Sequence, residues 1–161
     1  MANEIGEYFV SANGIRTHYL RGGSGPTLLL LHGWPEWSHI WRPVITRLAG
    51  DYDLVAGDFR GFGESDNPSP EPSLDAGPAV LADDVLALAD ALGVERFGIV
   101  AHDIGSFVAQ TLVRQAPERV AGLFFFNCAY PGIGARWVEP RHLSETWYQF
   151  FHQLPWVAEL I

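Results

Sequence analysis

Four apolar runs without polar alternation recur along the chain: Thr27 to Leu31, with four successive leucines, Asp53 to Ala56, Phe97 to Ala101, and Val120 to Cys128. Each reads as a strand of a parallel sheet, the Phe97 to Ala101 run as one buried on both faces. Between them the apolar spacing changes to three and four residues. It does so over Ile40 to Leu48, over Pro78 to Leu92 and over Ser106 to Ala116, and this predicts amphipathic helices. In the second helix Val80, Leu81, Val85, Leu88, Ala89 and Leu92 form the inward stripe, which leaves Asp83, Asp84 and Asp90 outside; Gly93 ends it, as Pro117 ends the third. Ahead of these units, Glu7 to Ser11 and Ile15 to Arg21 are strand-like and meet at Asn13-Gly14, a tight hairpin signal. The predicted order is two antiparallel strands, then strand, helix, strand, helix, strand, helix, strand. That is an α/β fold, a mostly parallel sheet of about six strands with helices on both faces.

After Pro131 the pattern changes, so the core is expected over residues 1–131 and a second segment over 132–161. There Ser144 is placed to cap a helix running to Leu154, before Pro155. Trp147, Phe150, Phe151 and Leu154 form its apolar stripe, with Tyr148 and His152 beside it. A tyrosine hydroxyl over a crevice can donate a proton to a leaving oxygen, although the same stripe describes a packing helix.

The stretch around which the rest is arranged is Phe97 to Gln110, FGIVAHDIGSFVAQ. Only His102, Asp103, Ile104 and Gly105 separate its strand pattern from its helix pattern. Asp103 is therefore expected at the apex of a sharp strand-to-helix bend, with small Ala101 and Gly105 around it. Such a bend lifts a nucleophile out of a sheet, and the helix start favours a negative charge there. Aspartate is also a favoured helix N-cap, and these residues by themselves favour that plainer role.

His32 to Trp37, HGWPEW, closes the leucine strand. Gly33 permits close backbone approach, and Pro35 restricts Trp34 to extended conformations; the Trp34–Pro35 bond is a candidate cis peptide. A rigid loop of this kind can aim the Trp34 N–H into the crevice beyond the strand ends. With the Ile104 N–H it would make a two-donor oxyanion hole. An ordinary proline turn before a helix reads the same residues equally well. In GDFRGFGESD, Gly61 and Gly63 lack the third glycine of a dinucleotide fingerprint, and no GK[ST] occurs. Asp58 and Arg60 are expected to pair or hydrogen-bond that loop into shape.

Composition narrows the chemistry further. With 161 residues, 48% of them hydrophobic, a net charge of −9 and a pI near 4.9, the chain describes one globular core. Its 10 basic residues are scattered, so nucleic acid is not an expected partner. The start, MANEIGEYFV, has no basic or long apolar region, and no run reaches membrane-spanning length; a cytoplasmic location without membrane contact is expected. The single cysteine, Cys128, excludes an internal disulfide and reads as a buried strand thiol. The six histidines, at 18, 32, 39, 102, 142 and 152, show no ligand spacing such as HExxH. No metal and no cofactor is therefore expected.

HGWP after the third strand, DFRGFGESD after the fourth and AHDIGSFVAQ at the fifth resemble the α/β-hydrolase fold, and within it the epoxide hydrolases. The resemblance covers nearly the whole chain. An aspartate at the elbow, where esterases and lipases place serine, implies attack on an alkyl carbon. In that family the carboxylate opens an epoxide to a glycol monoester, which a histidine-activated water hydrolyses to a diol. The resemblance makes Asp103 the nucleophile, the N–H groups of Trp34 and Ile104 the oxyanion hole, and His32, Gly33, Pro35, His102 and Gly105 its support. It makes Trp37 and Phe107, with Trp34, a lining for the substrate pocket. WYQFFHQL resembles the start of the family's helical cap, with Tyr148 matching the first of two tyrosines that assist ring opening.

Related branches also use an aspartate. Haloalkane dehalogenases carry tryptophan where Ile104 stands, and fluoroacetate dehalogenases place arginines just beyond the nucleophile, whereas none follows here until Arg114. Their cap also has tryptophan where Gln149 stands. These departures favour the epoxide reading over a haloalkane or haloacid dehalogenase. The family's general base and its acid partner match nothing before Ile161, as the second cap tyrosine does not. The expectation is an N-terminal portion of a longer enzyme, inactive in turnover by itself and either poorly soluble or paired as a homodimer. A binding domain that keeps the fold without its chemistry is the non-enzymatic alternative.

Overall fold

The structure is a computed structural model that describes residues 4–68, 77–128 and 139–145, apart from the side chains of residues 142 and 143. The chain divides into two compact units, residues 1–128 and 129–161. In the first, the hairpin forms as the Asn13-Gly14 signal requires: β1 (Gly6–Ala12) and β2 (Ile15–Gly23) pair antiparallel around Asn13 at φ 48° and Gly14 at φ 75°. Then come β3 (Thr27–Leu31), a 3-10 turn (Ser38–Trp41), α1 (Arg42–Leu48), β4 (Asp53–Gly57), α2 (Pro78–Ala91), β5 (Phe97–His102), α3 (Ile104–Gln115) and β6 (Val120–Phe126). The sheet order is β1-β2-β4-β3-β5-β6, with β4, β3, β5 and β6 parallel to one another. The expected α/β architecture is present. In the second unit, α4 spans Pro140–Glu145.

The leucine run shows why β3 is central. Because alternate residues face opposite ways, Leu29 and Leu31 enter the core under α2 and α3 while Leu30 enters the core under α1. Both faces are thus sealed, and Leu29, Leu30 and Leu31 are each at most 3% exposed. The consequence for the site is that β3 and β5, hydrogen-bonded in parallel register from Leu28 opposite Gly98 to Leu31 opposite Ala101, end side by side.

Several expectations need correction. The segment read as one helix from Ile40 divides into the 3-10 turn and α1, with Pro43 in the first turn of α1, where a missing N–H costs nothing. The third helix begins at Ile104, not Ser106, so the bend is tighter than the apolar spacing indicates. Asp84 is not outside. It is 6% exposed and accepts two bonds from Arg60, at 2.6 Å each, and one from Asn13 Nδ2, also at 2.6 Å. Arg60 therefore pairs with Asp84, while Asp58 accepts hydrogen bonds from Ser38, Glu64 and Ser65. Ser144 lies inside α4 and bonds the Arg141 carbonyl, so it is not an N-cap; the rest of the expected helix, Tyr148 included, lies outside the described residues. Cys128 lies beyond the end of β6 and is only half-buried, although burial still pushes its thiol pKa up.

The strand β6 is not sealed on both faces by the described residues. Phe125 packs into the α2/α3 core, but Phe124 is 63% exposed and Phe126 43%. The reason is geometric: Phe124 stands in register with Val100, on the α1 side of the sheet, and α1 packs over β2 rather than β5 and β6. Among the described residues nothing covers that face. No described helix is long and apolar enough to cross a membrane.

Candidate active site

The single residue between β5 and α3 is Asp103. Its backbone sits at φ 49° and ψ −117°, a region that bulky residues occupy only when the surroundings hold them there. What holds it is a set of backbone bonds. The Asp103 N–H donates to the Phe126 carbonyl at 3.3 Å, the Gly105 N–H to the His32 carbonyl at 3.0 Å, and the Ser106 N–H to the Asp103 carbonyl at 2.9 Å. Gly105 is required by proximity, since a Cβ there would lie 2.5 Å from the Leu31 carbonyl oxygen and 2.6 Å from that of His32. The start of α3 is thereby pressed against the end of β3.

Asp103 occupies the N-cap position of α3, yet its side chain makes no capping bond. It turns to the HGWP loop instead, where Oδ1 accepts the Trp34 N–H at 2.9 Å. Gly33 makes this approach feasible: a Cβ on it would stand 2.5 Å from the Asp103 Cβ and 2.9 Å from Oδ1. The Trp34–Pro35 bond is cis, and the Glu36 N–H donates to the Gly33 carbonyl at 3.1 Å to close the turn.

His32 is fully buried and ties this loop to the next. Its Nε2 accepts the Phe59 N–H at 3.1 Å, so the proton is on Nδ1, which donates to the Gly33 carbonyl at 2.9 Å. Burial lowers its pKa, against the pull of the Gly33 carbonyl and of the Asp58 and Glu36 charges. The ring is neutral and structural.

His102 lies on the other side of the bend. Its Nδ1 is 3.0 Å from Glu36 Oε2, its Nε2 is 3.3 Å from Asn127 Nδ2, and its ring stacks on Phe126 at 4.9 Å. Neither His32 nor His102 bonds Asp103. Glu36 and Asn127 are positions that the sequence reading missed, and no local signal marks them, since Glu36 meets His102 across 66 residues.

Near the bend, Trp34 and Phe107 are 41% and 39% exposed. Trp37, 43% exposed, lies with its ring 5.9 Å from that of His39 and its Cβ beside Gly63. Asp58, on the loop after β4, is a hub. Burial works to raise its pKa, but bonds from Ser38, Glu64 and His18 outweigh it and hold the carboxyl below the usual range.

A family model described as alpha/beta hydrolase fold matches residues 26–161. The chain belongs to the alpha/beta hydrolase fold family. Among relatives in that family it is similar to epoxide hydrolase 4 of Homo sapiens, 32% identical over 158 residues, which cover 94% of this chain and 42% of that protein. It is similar also to the soluble epoxide hydrolase of Corynebacterium sp., 36% identical over 133 residues, covering 83% of this chain and 45% of the relative. To the fluoroacetate dehalogenase of Burkholderia sp. it is 34% identical over 135 residues, covering 83% and 44%. Among solved structures, a phenylalanine-to-alanine mutant of an epoxide hydrolase from Bacillus megaterium, complexed with its product, superposes with a TM-score of 0.84 at 32% identity. That match covers 93% of this chain and 53% of the other. The chain spans less than half the length of these curated relatives.

Proposed function

We propose that this chain carries the nucleophilic half of an epoxide hydrolase, with Asp103 forming the covalent ester. The observation that carries the proposal is the Trp34 N–H on Asp103 Oδ1 at 2.9 Å, at the tip of a strained single-residue bend. With Oδ1 held, Oδ2 is the oxygen left to attack. It bonds to a ring carbon, the carbon–oxygen bond of the epoxide breaks, and the ring oxygen leaves as an alkoxide that takes up a proton. Tyr148 is the donor that the family resemblance implies. The product is a 2-hydroxyalkyl ester of Asp103 whose carbonyl oxygen is Oδ1.

Attack of water on that ester would place negative charge on Oδ1, where the Trp34 amide already points, with the Ile104 amide as the second donor. Hydrolysis also needs a base. His32 has both nitrogens engaged, and His102 is bonded to Glu36 and Asn127. Neither histidine at the bend therefore serves as that base, and on this chain the ester is expected to accumulate rather than turn over. The similarity to a fluoroacetate dehalogenase supports a second reading, in which the same oxygen displaces halide. Ile104 and the lack of an arginine between Asp103 and Arg114 favour the epoxide.

The test is intact-mass analysis after incubation with styrene oxide and, in parallel, with chloroacetate. Expected is a mass gain of one epoxide, mapped to the peptide containing Asp103 and absent from Asp103→Ala. A folded chain whose Asp103 peptide stays unmodified by styrene oxide would refute the proposal, and labelling by chloroacetate alone would establish the second reading.

A further inference from the structure

Away from the bend, three residues with no sequence spacing in common converge. Glu7 comes from β1, His18 from β2 and His39 from the 3-10 turn, and one donor atom from each lies within 4.8 Å of the others. We propose that these residues bind a divalent metal ion of the zinc class, at a site separate from the nucleophile.

His18 carries the argument. It is 1% exposed, and its Nδ1 is bonded to Asp58 Oδ2 at 2.9 Å, while its Nε2 is buried without a hydrogen-bond partner. A buried nitrogen left in this way is costly. His39 repeats the feature: its Nε2 is also buried without a hydrogen bond and stands 3.6 Å from Glu7 Oε1, too far for one. The two imidazole rings are 6.2 Å apart at their centroids.

The supporting shell is of the kind that metal sites require. A ligating histidine commonly donates its other ring N–H to a carboxylate, which fixes the ring and raises its basicity. Asp58 does this for His18, and its other oxygen accepts the Ser38 N–H at 2.7 Å, directly before His39. A single carboxylate thus fixes the His18 ring and anchors the backbone next to His39. Phe9 lies 5.1 Å from the His18 ring and Trp37 5.9 Å from the His39 ring, so apolar faces wall the site. Two imidazoles and one carboxylate suit zinc and its neighbours, Co, Ni and Cu, better than Mg or Ca. Three protein donors leave a fourth position open.

Arg42 opposes the ion, because its guanidinium bonds the same Glu7 oxygen. Its side chain is 38% exposed and free to withdraw to solvent. The metal and Arg42 are competitors for Glu7, and occupancy would tie β1, β2 and the 3-10 turn together.

The test uses the full chain after chelator treatment, titrated with Zn2+ by calorimetry and with Co2+ by visible absorption. Expected are about one equivalent bound, tetrahedral-type cobalt bands and a raised Tm. Glu7→Gln and His39→Gln change partly exposed side chains, so their folds should hold. Each should weaken binding by about tenfold or more and lose the cobalt bands, whereas Arg42→Gln should tighten binding severalfold. No stoichiometric binding, or binding indifferent to Glu7→Gln and His39→Gln in chains of unchanged circular dichroism, would overturn the proposal. So would weaker binding in Arg42→Gln.

Discussion

The Trp34 amide nitrogen and Asp103 Oδ1 lie 2.9 Å apart although 69 residues separate them in the chain. β3 and β5 run parallel and adjacent, so the loop leaving one and the bend leaving the other emerge at the same edge. Gly33 lets them touch. In Gly33→Ala the new methyl would stand 2.5 Å from the Asp103 Cβ and push the carboxylate off its donor. Ester formation should slow by about 100-fold, the scale of a 1 Å misplacement, with a smaller loss in the urea midpoint. An adduct rate equal to the parent chain's would show that this contact does not matter.

Asp84 is expected to be a stability residue. It joins α2 to the loop after β4 through Arg60 and to the hairpin through Asn13, with side-chain exposures of 6% for Asp84 and 12% for Arg60. Asp84→Ala removes the carboxylate that accepts two Arg60 bonds and one Asn13 bond inside the fold, and should cost about 3–5 kcal/mol, read from urea denaturation. A loss under about 1 kcal/mol would place the pair among ordinary surface bridges.

The neutral state of His32 predicts a pH dependence. Its pKa is lowered in the fold by burial, so between that value and the unfolded one, near 6.5, the unfolded chain binds the extra proton. Stability is then complete above about pH 6.5 and falls as pH drops below it. Urea midpoints from pH 7.5 down to 5 should show this slope, and His32→Gln should flatten it. Asp58, held low by its bonds, adds a further loss only below the usual carboxylate range, near pH 3.9. A parent curve flat from pH 7.5 to 5 contradicts the assignment for His32.

Phe124 and Phe126 should govern how the 161-residue chain behaves in solution. Their rings lie 6.0 Å apart on a side of β6 that no other described residue covers, and a contiguous apolar patch of this kind drives association. The chain should bind a hydrophobic dye and elute as dimers or larger species, and Phe124→Ser should reduce both. Monomeric elution of the parent at high concentration would contradict this.

Much of the architecture is legible in the sequence. The hairpin at Asn13-Gly14 follows from φ preferences, and the strands and helices follow from the change of apolar period. The bend at Asp103 follows because strand and helix patterns leave no room for a longer turn. What misled was local reading of polar residues. Asp84 lies opposite the apolar stripe of its own helix, so periodicity assigns it to solvent; Arg60 and Asn13, 24 and 71 residues away, make its burial tolerable. The same limit applies to Glu7, His18 and His39, whose spacing matches no ligand motif because three separate elements bring them together.

The residues alone determined the α/β class, the order of the elements and the place of the aspartate, since each depends on short-range sterics and on burying apolar faces at fixed periods. Only the tertiary structure decided that Asp103 turns to Trp34 rather than capping its helix. It also decided which acids are buried and, among the described residues, which face of β6 is left exposed. A charge or hydrogen-bond donor acts at about 3 Å, and in a folded chain the atoms at that distance come from strands that the sequence keeps far apart.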